Sequence, residues 1–145
     1  MKNGFTLIEL MVVVLIIGIL TTIAVPQYRK TIDTSKAMDA LSTLQMIANA
    51  NRMYQLDNNA YISGQVTNNH LLVTRKYIAS KATTDWSGEW AFYSCDTATC
   101  GGGGCNGGII ACASNTAKVW RYEVDTVGNC RAYGTGVPDT SDCPK

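Results

Sequence analysis

From Phe5 to Val25 the chain reads FTLIELMVVVLIIGILTTIAV, an apolar run in which Glu9 is the only charge. Coiled as a helix, this stretch rises roughly 30 Å, the thickness of bilayer hydrocarbon. It therefore splits the 145 residues into a membrane-length N-terminal segment and a remainder that suffices for one small domain. Removable secretory signals, ordinary anchors and specialised membrane subunits all begin this way. Thr22-Ile23-Ala24 offers a small-x-small cut, but the run is long for a signal, carries an acid near its start and meets Pro26 just beyond. An ordinary anchor leaves Glu9 unexplained, because a carboxylate inside the span costs about 2.5 to 3.5 kcal/mol unless it snorkels or stays neutral.

The residues around this acid narrow the choice. Met1-Lys2-Asn3-Gly4 followed by Phe5-Thr6-Leu7-Ile8-Glu9-Leu10 resembles the prepilin leader and mature N-terminus of type IV pilins and of their relatives, the pseudopilins of type II secretion. The resemblance covers roughly the first 50 residues. It implies cleavage between Gly4 and Phe5 by a membrane-embedded aspartic peptidase, N-methylation of Phe5, and polymerisation through the N-terminal helix. The implied organisation is a leader at 1–4, a long helix at 5–57 with 5–25 transmembrane and later filament core, and an exported head at 58–145. The implied partners are other copies of the chain, the prepilin peptidase with the pilus assembly machinery, and the inner membrane before assembly. The implied localisation is the bacterial inner membrane, single-pass with the C-terminus outside, and then an extracellular fimbrium. The roles of such filaments include adhesion, twitching motility and DNA uptake; a minor pilin or a type II secretion pseudopilin is the alternative.

Physical chemistry gives the cut a consequence. It moves a free amine from Met1 to Phe5, one helical turn from Glu9. Opposite charges about 4 Å apart gain roughly 4 kcal/mol at an effective dielectric near 20, comparable with the cost of placing Glu9 in lipid. In the family's assembly scheme Glu9 pairs with the Phe5 amine of a neighbour and sets the axial stagger; helix geometry also permits a pair with its own terminus. Gly18 and Pro26 cost about 1 and 3 kcal/mol in a helix interior, so Ile19 to Val25 is the weakest stretch. It either loosens in a filament, as pilins often do between the corresponding positions, or kinks plainly at a membrane surface marked by Tyr28, Arg29 and Lys30. Lys2 and the initial amine oppose Arg29 and Lys30, so the positive-inside rule gives close to a draw on orientation.

Beyond Pro26, Tyr28, Ile32, Leu41, Leu44, Ala48 and Tyr54 recur at helical spacings without Gly or Pro up to Gln55, and Asp57-Asn58-Asn59 supplies a stop. A short helix is expected at Leu71 to Ser80. His70, the only histidine, lies in this loop-rich connection without a second imidazole and reads as a surface residue. Strand patterns follow at Trp90 to Ser94, Gly108 to Ala113 and Lys118 to Val124, where Trp120, Tyr122 and Val124 share a dry face and Arg121 and Glu123 the other. Gly128-Asn129 signals a hairpin returning through Cys130 to Tyr133. The expected fold is α+β: a long N-terminal helix, membrane-spanning in its first half, packed on a small three- to four-stranded antiparallel sheet.

All six cysteines, Cys95, Cys100, Cys105, Cys112, Cys130 and Cys143, fall in the C-terminal third, which points to an oxidising compartment and disulfides. Spacing leaves all connectivities open; resemblance to pilins with a C-terminal disulfide loop makes Cys130 with Cys143 the best single pair. Cys95, Cys100 and Cys105 at five-residue intervals also admit a zinc reading, a membrane-anchored metal-binding module. Asp125, Asp139 and Asp142 lack an ordered calcium-ligand pattern, and Gly101 to Gly104 lacks the Gly-Lys-Ser/Thr ending of a phosphate loop. With a net charge of +1 nothing asks for nucleic acid. The expectation is a structural protein with no catalytic constellation, no resident metal and no cofactor.

Overall fold

The computed structural model describes residues 5–81, 86, 88–100, 102, 105–138, 140 and 143. The expected leader 1–4 with Gly4, the residues Gly101, Gly103 and Gly104, and Asp139 and Asp142 lie outside the described residues. Compact packing divides the chain into Met1–Lys36 and Ala37–Lys145.

Helix α1 (Leu7–Asn58) belongs to both units and stays helical through Gly18 and Pro26. From Leu7 to Thr31 its side chains are exposed, and the helix contains an 18-residue window of mean hydropathy 2.7, none of it buried. Tyr28, placed on the amphipathic stripe by its spacing, is exposed as well. In the second unit Ala37, Ala40, Leu41, Leu44, Ile47, Ala48 and Asn51 are buried, the three- and four-residue steps of one helix face. The alanines on that face let backbone approach sheet closely. The helix ends one residue beyond the expected 57, with Asn59 in the left-handed region (φ 56°), a conformation asparagine tolerates as a helix stop. Arg75 Nη1 donates to Asn58 Oδ1 at 2.9 Å and Tyr77 Oη to Asp57 Oδ2 at 2.6 Å, clamping this end.

The short strand β1 (Gly64–Gln65) and the one-turn helix α2 (Leu71–Thr74) follow. The helix expected to reach Ser80 stops early because Lys76 turns left-handed (φ 64°) and the N–H groups of Tyr77 and Ile78 fold back onto the carbonyl of Leu72. The remaining strands are β2 (Ala91–Asp96), β3 (Thr99–Cys100), β4 (Ile109–Asn115), β5 (Trp120–Asp125) and β6 (Cys130–Tyr133). All pairings are antiparallel, in the order β1-β2-β4-β5-β6, with β3 a hairpin arm on β2. The described residues thus form six strands where three or four were expected. The two additions are two-residue strands, too short to show an alternating pattern.

One face of this sheet receives α1. Ile110, Ala113, Trp120, Tyr122, Val124 and Ala132 join the helix residues in the main core. Every residue of β4 is buried, because Cys95, Ile109 and Cys112 form a second cluster on which Tyr93, Cys100 and Cys105 pack. A central strand covered on both faces loses its polar alternation, which accounts for the run Ile109-Ile110-Ala111-Cys112-Ala113. Asn51 ties the layers together: its Nδ2 lies 2.9 Å from the carbonyls of Cys95 and Ile110, and its Oδ1 accepts from Ile62 N at 3.0 Å. Trp120 Nε1 donates to Thr135 O at 3.0 Å and Tyr122 Oη to Pro138 O at 2.9 Å, holding the C-terminal segment against β5.

Candidate functional site

An α-helix leaves its first four N–H groups without partners, and the start of α1 meets this in a particular way. Glu9 Oε2 accepts from Thr6 N at 2.8 Å and from Thr6 Oγ1 at 2.7 Å, while Thr6 Oγ1 lies 3.4 Å from Glu9 N. This is a capping box, a hydroxyl residue and an acid three apart serving each other's backbone. The acid also sits in the first turn, where the helix dipole favours negative charge. Among the described residues no hydrogen bond engages Glu9 Oε1. Phe5, just before the cap, is 81% exposed. Thr6, expected only as part of the N-terminal motif, acts as the cap; the Thr-x-x-Glu spacing ahead of an apolar run is the signal that reveals it.

At the other marked positions of this segment, Thr21 Oγ1 donates to Gly18 O at 3.0 Å and Thr22 Oγ1 to Ile19 O at 2.7 Å. Pro26 has no N–H to offer the carbonyl of Thr22, four residues back. Hydroxyl back-bonding and a missing donor thus fall together between Gly18 and Pro26.

The six cysteines form three disulfides, Cys95–Cys100, Cys105–Cys112 and Cys130–Cys143. The first closes the β2–β3 hairpin, the second ties the following loop to β4, and the third holds Cys143 to the start of β6. Cys105 Sγ, Cys112 Sγ and a Glu123 oxygen lie within 4.8 Å of one another. Sulfurs bonded to each other are not thiolates, so neither this group nor Cys95, Cys100 and Cys105 presents a zinc-ligand set in the oxidised head. Asp125, the described member of the calcium candidates, is filled from within: its Oδ1 accepts from the N–H groups of Val127, Gly128 and Asn129 at 2.7–2.9 Å, and its Oδ2 from Asn129 Nδ2 at 2.9 Å. Burial pushes this carboxyl up, but those donors together hold it below the usual carboxylate range.

Arg121 and Glu123 share the face of β5 opposite Trp120, Tyr122 and Val124, as the alternation predicts, and that face is covered as well: Glu123 is 2% exposed, because the loop tied by Cys105–Cys112 roofs that side of the sheet. Asn106 N and Nδ2 each donate to its carboxylate at 3.0 Å, and Arg121 Nε lies 2.9 Å from Oε1. His70 is half-buried rather than a surface residue. It caps α2, with Nδ1 accepting from Leu72 N at 3.3 Å and Nε2 lying 3.1 Å from Ser94 Oγ, and burial pushes its pKa below the ordinary value.

A family model described as "Prokaryotic N-terminal methylation motif" matches residues 1–25. The chain is 50% identical over 64 residues to the type II secretion system core protein G of Pseudomonas aeruginosa, covering 44% of this chain and 45% of that protein. It is 42% identical over 60 residues to the protein of the same name from Aeromonas hydrophila, covering 41% and 42%. To the type IV major fimbrial protein FimA of Dichelobacter nodosus it is 55% identical over 42 residues, 29% of this chain and 27% of that protein. The chain spans less than half the length of these curated relatives. No solved structure matches.

Proposed function

We propose that the chain is a structural subunit of a type IV pilus, cut between Gly4 and Phe5, N-methylated at Phe5 and polymerised through α1. The observation that carries this reading is the methylation motif at residues 1–25 lying on a helix whose apolar side chains are exposed. A face of that size, outside the head's own core, needs lipid or neighbouring helices to cover it. In this reading 1–4 is the leader, 5–57 the long helix with 5–25 transmembrane and then filament core, and 58–145 the exported head. Three disulfides support an oxidising destination and a C-terminus outside the cell.

The capping box adds a step to the assembly chemistry. With Oε2 serving Thr6, Glu9 keeps its second oxygen for an incoming cation, so one carboxylate both starts its own helix and receives the Phe5 amine of a neighbour. Before the cut Phe5 contributes only a peptide group, and this pair cannot form. Gly18 to Pro26 would be the first stretch to loosen once neighbouring helices compete for its carbonyls.

Intact-mass analysis of protein from its host tests the processing step. The expected product begins at Phe5 and carries one added methyl group; native material that still begins at Met1 while the processing machinery is active refutes the proposal. Glu9→Ala is expected to leave subunits in the membrane and to reduce filament yield, and an unchanged yield removes the charge-pairing step.

A type II secretion pseudopilin is the second reading, favoured by the longer matches to core protein G, 60 and 64 residues against 42 for the fimbrial protein. Gene deletion separates the two. Loss of surface fibres supports the pilus, and loss of secretion with fibres intact supports the pseudopilus.

A further inference from the structure

Between β3 and β4 the chain carries Asn106-Gly107-Gly108, all three exposed. Beyond residue 4, Asn106 is the only asparagine followed by glycine. That pair is the one most open to attack of the backbone on a side-chain amide, because glycine has no side chain to crowd its own nitrogen and leaves the backbone free to turn. Among the described residues no hydrogen bond engages Gly107 N, so the attacking atom is not tied elsewhere. The fold instead locks the other partner. Asn106 N donates to Glu123 Oε1 and Asn106 Nδ2 to Glu123 Oε2, each at 3.0 Å. Both bonds fix the side chain against a buried carboxylate, which its Cγ must leave to reach Gly107 N. The neighbouring Cys105–Cys112 bond holds the loop in that position.

When the loop lifts, Gly107 N gives its proton to a solvent base and attacks Asn106 Cγ. The new N–C bond closes a five-membered imide as the Cγ–Nδ2 bond breaks and ammonia departs; water then opens the ring at either carbonyl, leaving aspartate or isoaspartate. The product cannot take the old seat. Where Nδ2 donated, an anionic oxygen now stands, so closing the loop would press a second carboxylate on Glu123, whose Oε1 already has Arg121 Nε at 2.9 Å. We infer that Asn106 is a modification site, deamidated through Gly107 whenever the loop over Glu123 opens, and that the product keeps the loop from reseating. The closed head thus protects the amide, and a single opening that lasts long enough is recorded in the covalent structure. The inference is independent of the filament proposal.

The test incubates the full chain in detergent micelles at mildly alkaline pH and reads residue 106 by peptide mass mapping, where conversion shows as the mass gain of amide to acid in an aspartate and isoaspartate pair. With its disulfides intact the parent is expected to keep Asn106. Cys105→Ser/Cys112→Ser is expected to convert it at least about tenfold faster, since the lost cross-link favours the open loop. Glu123→Gln leaves the disulfide in place but presents an N–H where one Asn106 donor needs an acceptor, and it too is expected to convert faster than the parent. Gly107→Ala, added to the serine pair, should slow conversion severalfold; its Cβ would lie 3.8 Å from Thr97 O and 3.9 Å from Ala98 O, ordinary contacts that the fold accepts. Asn106→Asp, the product made directly, is expected to lower the melting temperature by about 4 to 8 °C or more, and Glu123→Gln on that background to recover most of the loss. The inference is overturned if either the serine pair or Glu123→Gln converts no faster than the parent, if Gly107→Ala leaves the rate unchanged, or if Asn106→Asp melts as the parent does.

Discussion

Asn51 is fully buried on a helix face otherwise made of Ala, Leu and Ile, and it is tolerated because its amide is consumed by backbone. Ile110 lies at the register irregularity between Ile109 and Ala111, and Asn51 supplies a donor to its carbonyl. Asn51→Ala would strand Ile62 N and remove the donor from the carbonyls of Ile62, Cys95 and Ile110, so we expect a loss of about 3 kcal/mol or more in urea unfolding. Asn51→Asp should cost more still, since it turns a second oxygen toward the carbonyls of Cys95 and Ile110. His70 carries a pH dependence of definite sign. Its Nδ1 accepts from Leu72 N and must be unprotonated, which leaves Nε2–H to donate to Ser94 Oγ. Its folded pKa lies below the ordinary 6.5, so the unfolded chain takes up the proton first. The His70 contribution is therefore complete above pH 6.5 and is lost as pH falls below that value toward the folded pKa. Unfolding midpoints measured from pH 7.5 to 5 should fall for the parent and fall less for His70→Asn, which keeps a capping side chain.

Among the elements, the second disulfide has an effect beyond closing a short loop. Cys105–Cys112 holds Asn106 over Glu123, and with it the two donors that make a buried carboxylate acceptable. Replacing both cysteines by serine should therefore cost more than the same change at Cys95 and Cys100, whose bond closes a hairpin already paired as β2–β3. The deficit should shrink when Glu123→Gln is added, a double-mutant comparison readable by thermal melting. The same region shows where the sequence was opaque. Strands β2, β4, β5 and β6 were legible because Phe92, Ile110, Tyr122 and Ala132 sit in runs long enough to carry a pattern. Strands β1 and β3 have two residues each and exist through their partners. Alternation in β5 reports one covered face, and nothing local says that the loop carrying Asn106, 17 residues before Glu123, covers the other. His70 was misplaced for a similar reason: its partner Ser94 is 24 residues away. At the helix start the signal was local, Thr6 and Glu9 being three apart, and the capping box went unread all the same.

At the scale of the molecule, every buried residue of α1 lies at Ala37 or later, whereas the apolar side chains from Phe5 to Val25 are exposed. The helix therefore changes solvent along its length without changing secondary structure, and the stability of the head rests on the part after Lys36. Deleting residues 1–36 should leave a soluble, cooperatively unfolding domain when the protein is exported to an oxidising compartment, because among the described residues the core begins at Ala37. The domain is small enough for its staples to matter: a bond closing about fifteen residues, as Cys130–Cys143 nearly does, is worth about 3 kcal/mol, or roughly 10–20 °C in melting temperature. Reductant should lower the melting temperature of this fragment by at least that much, with Cys130→Ser/Cys143→Ser reproducing a large part of the drop. Sedimentation and calorimetry check both statements. A fragment that aggregates in its oxidised form would mean that the N-terminal stretch supports the head, and the division at Lys36 would then have no energetic meaning.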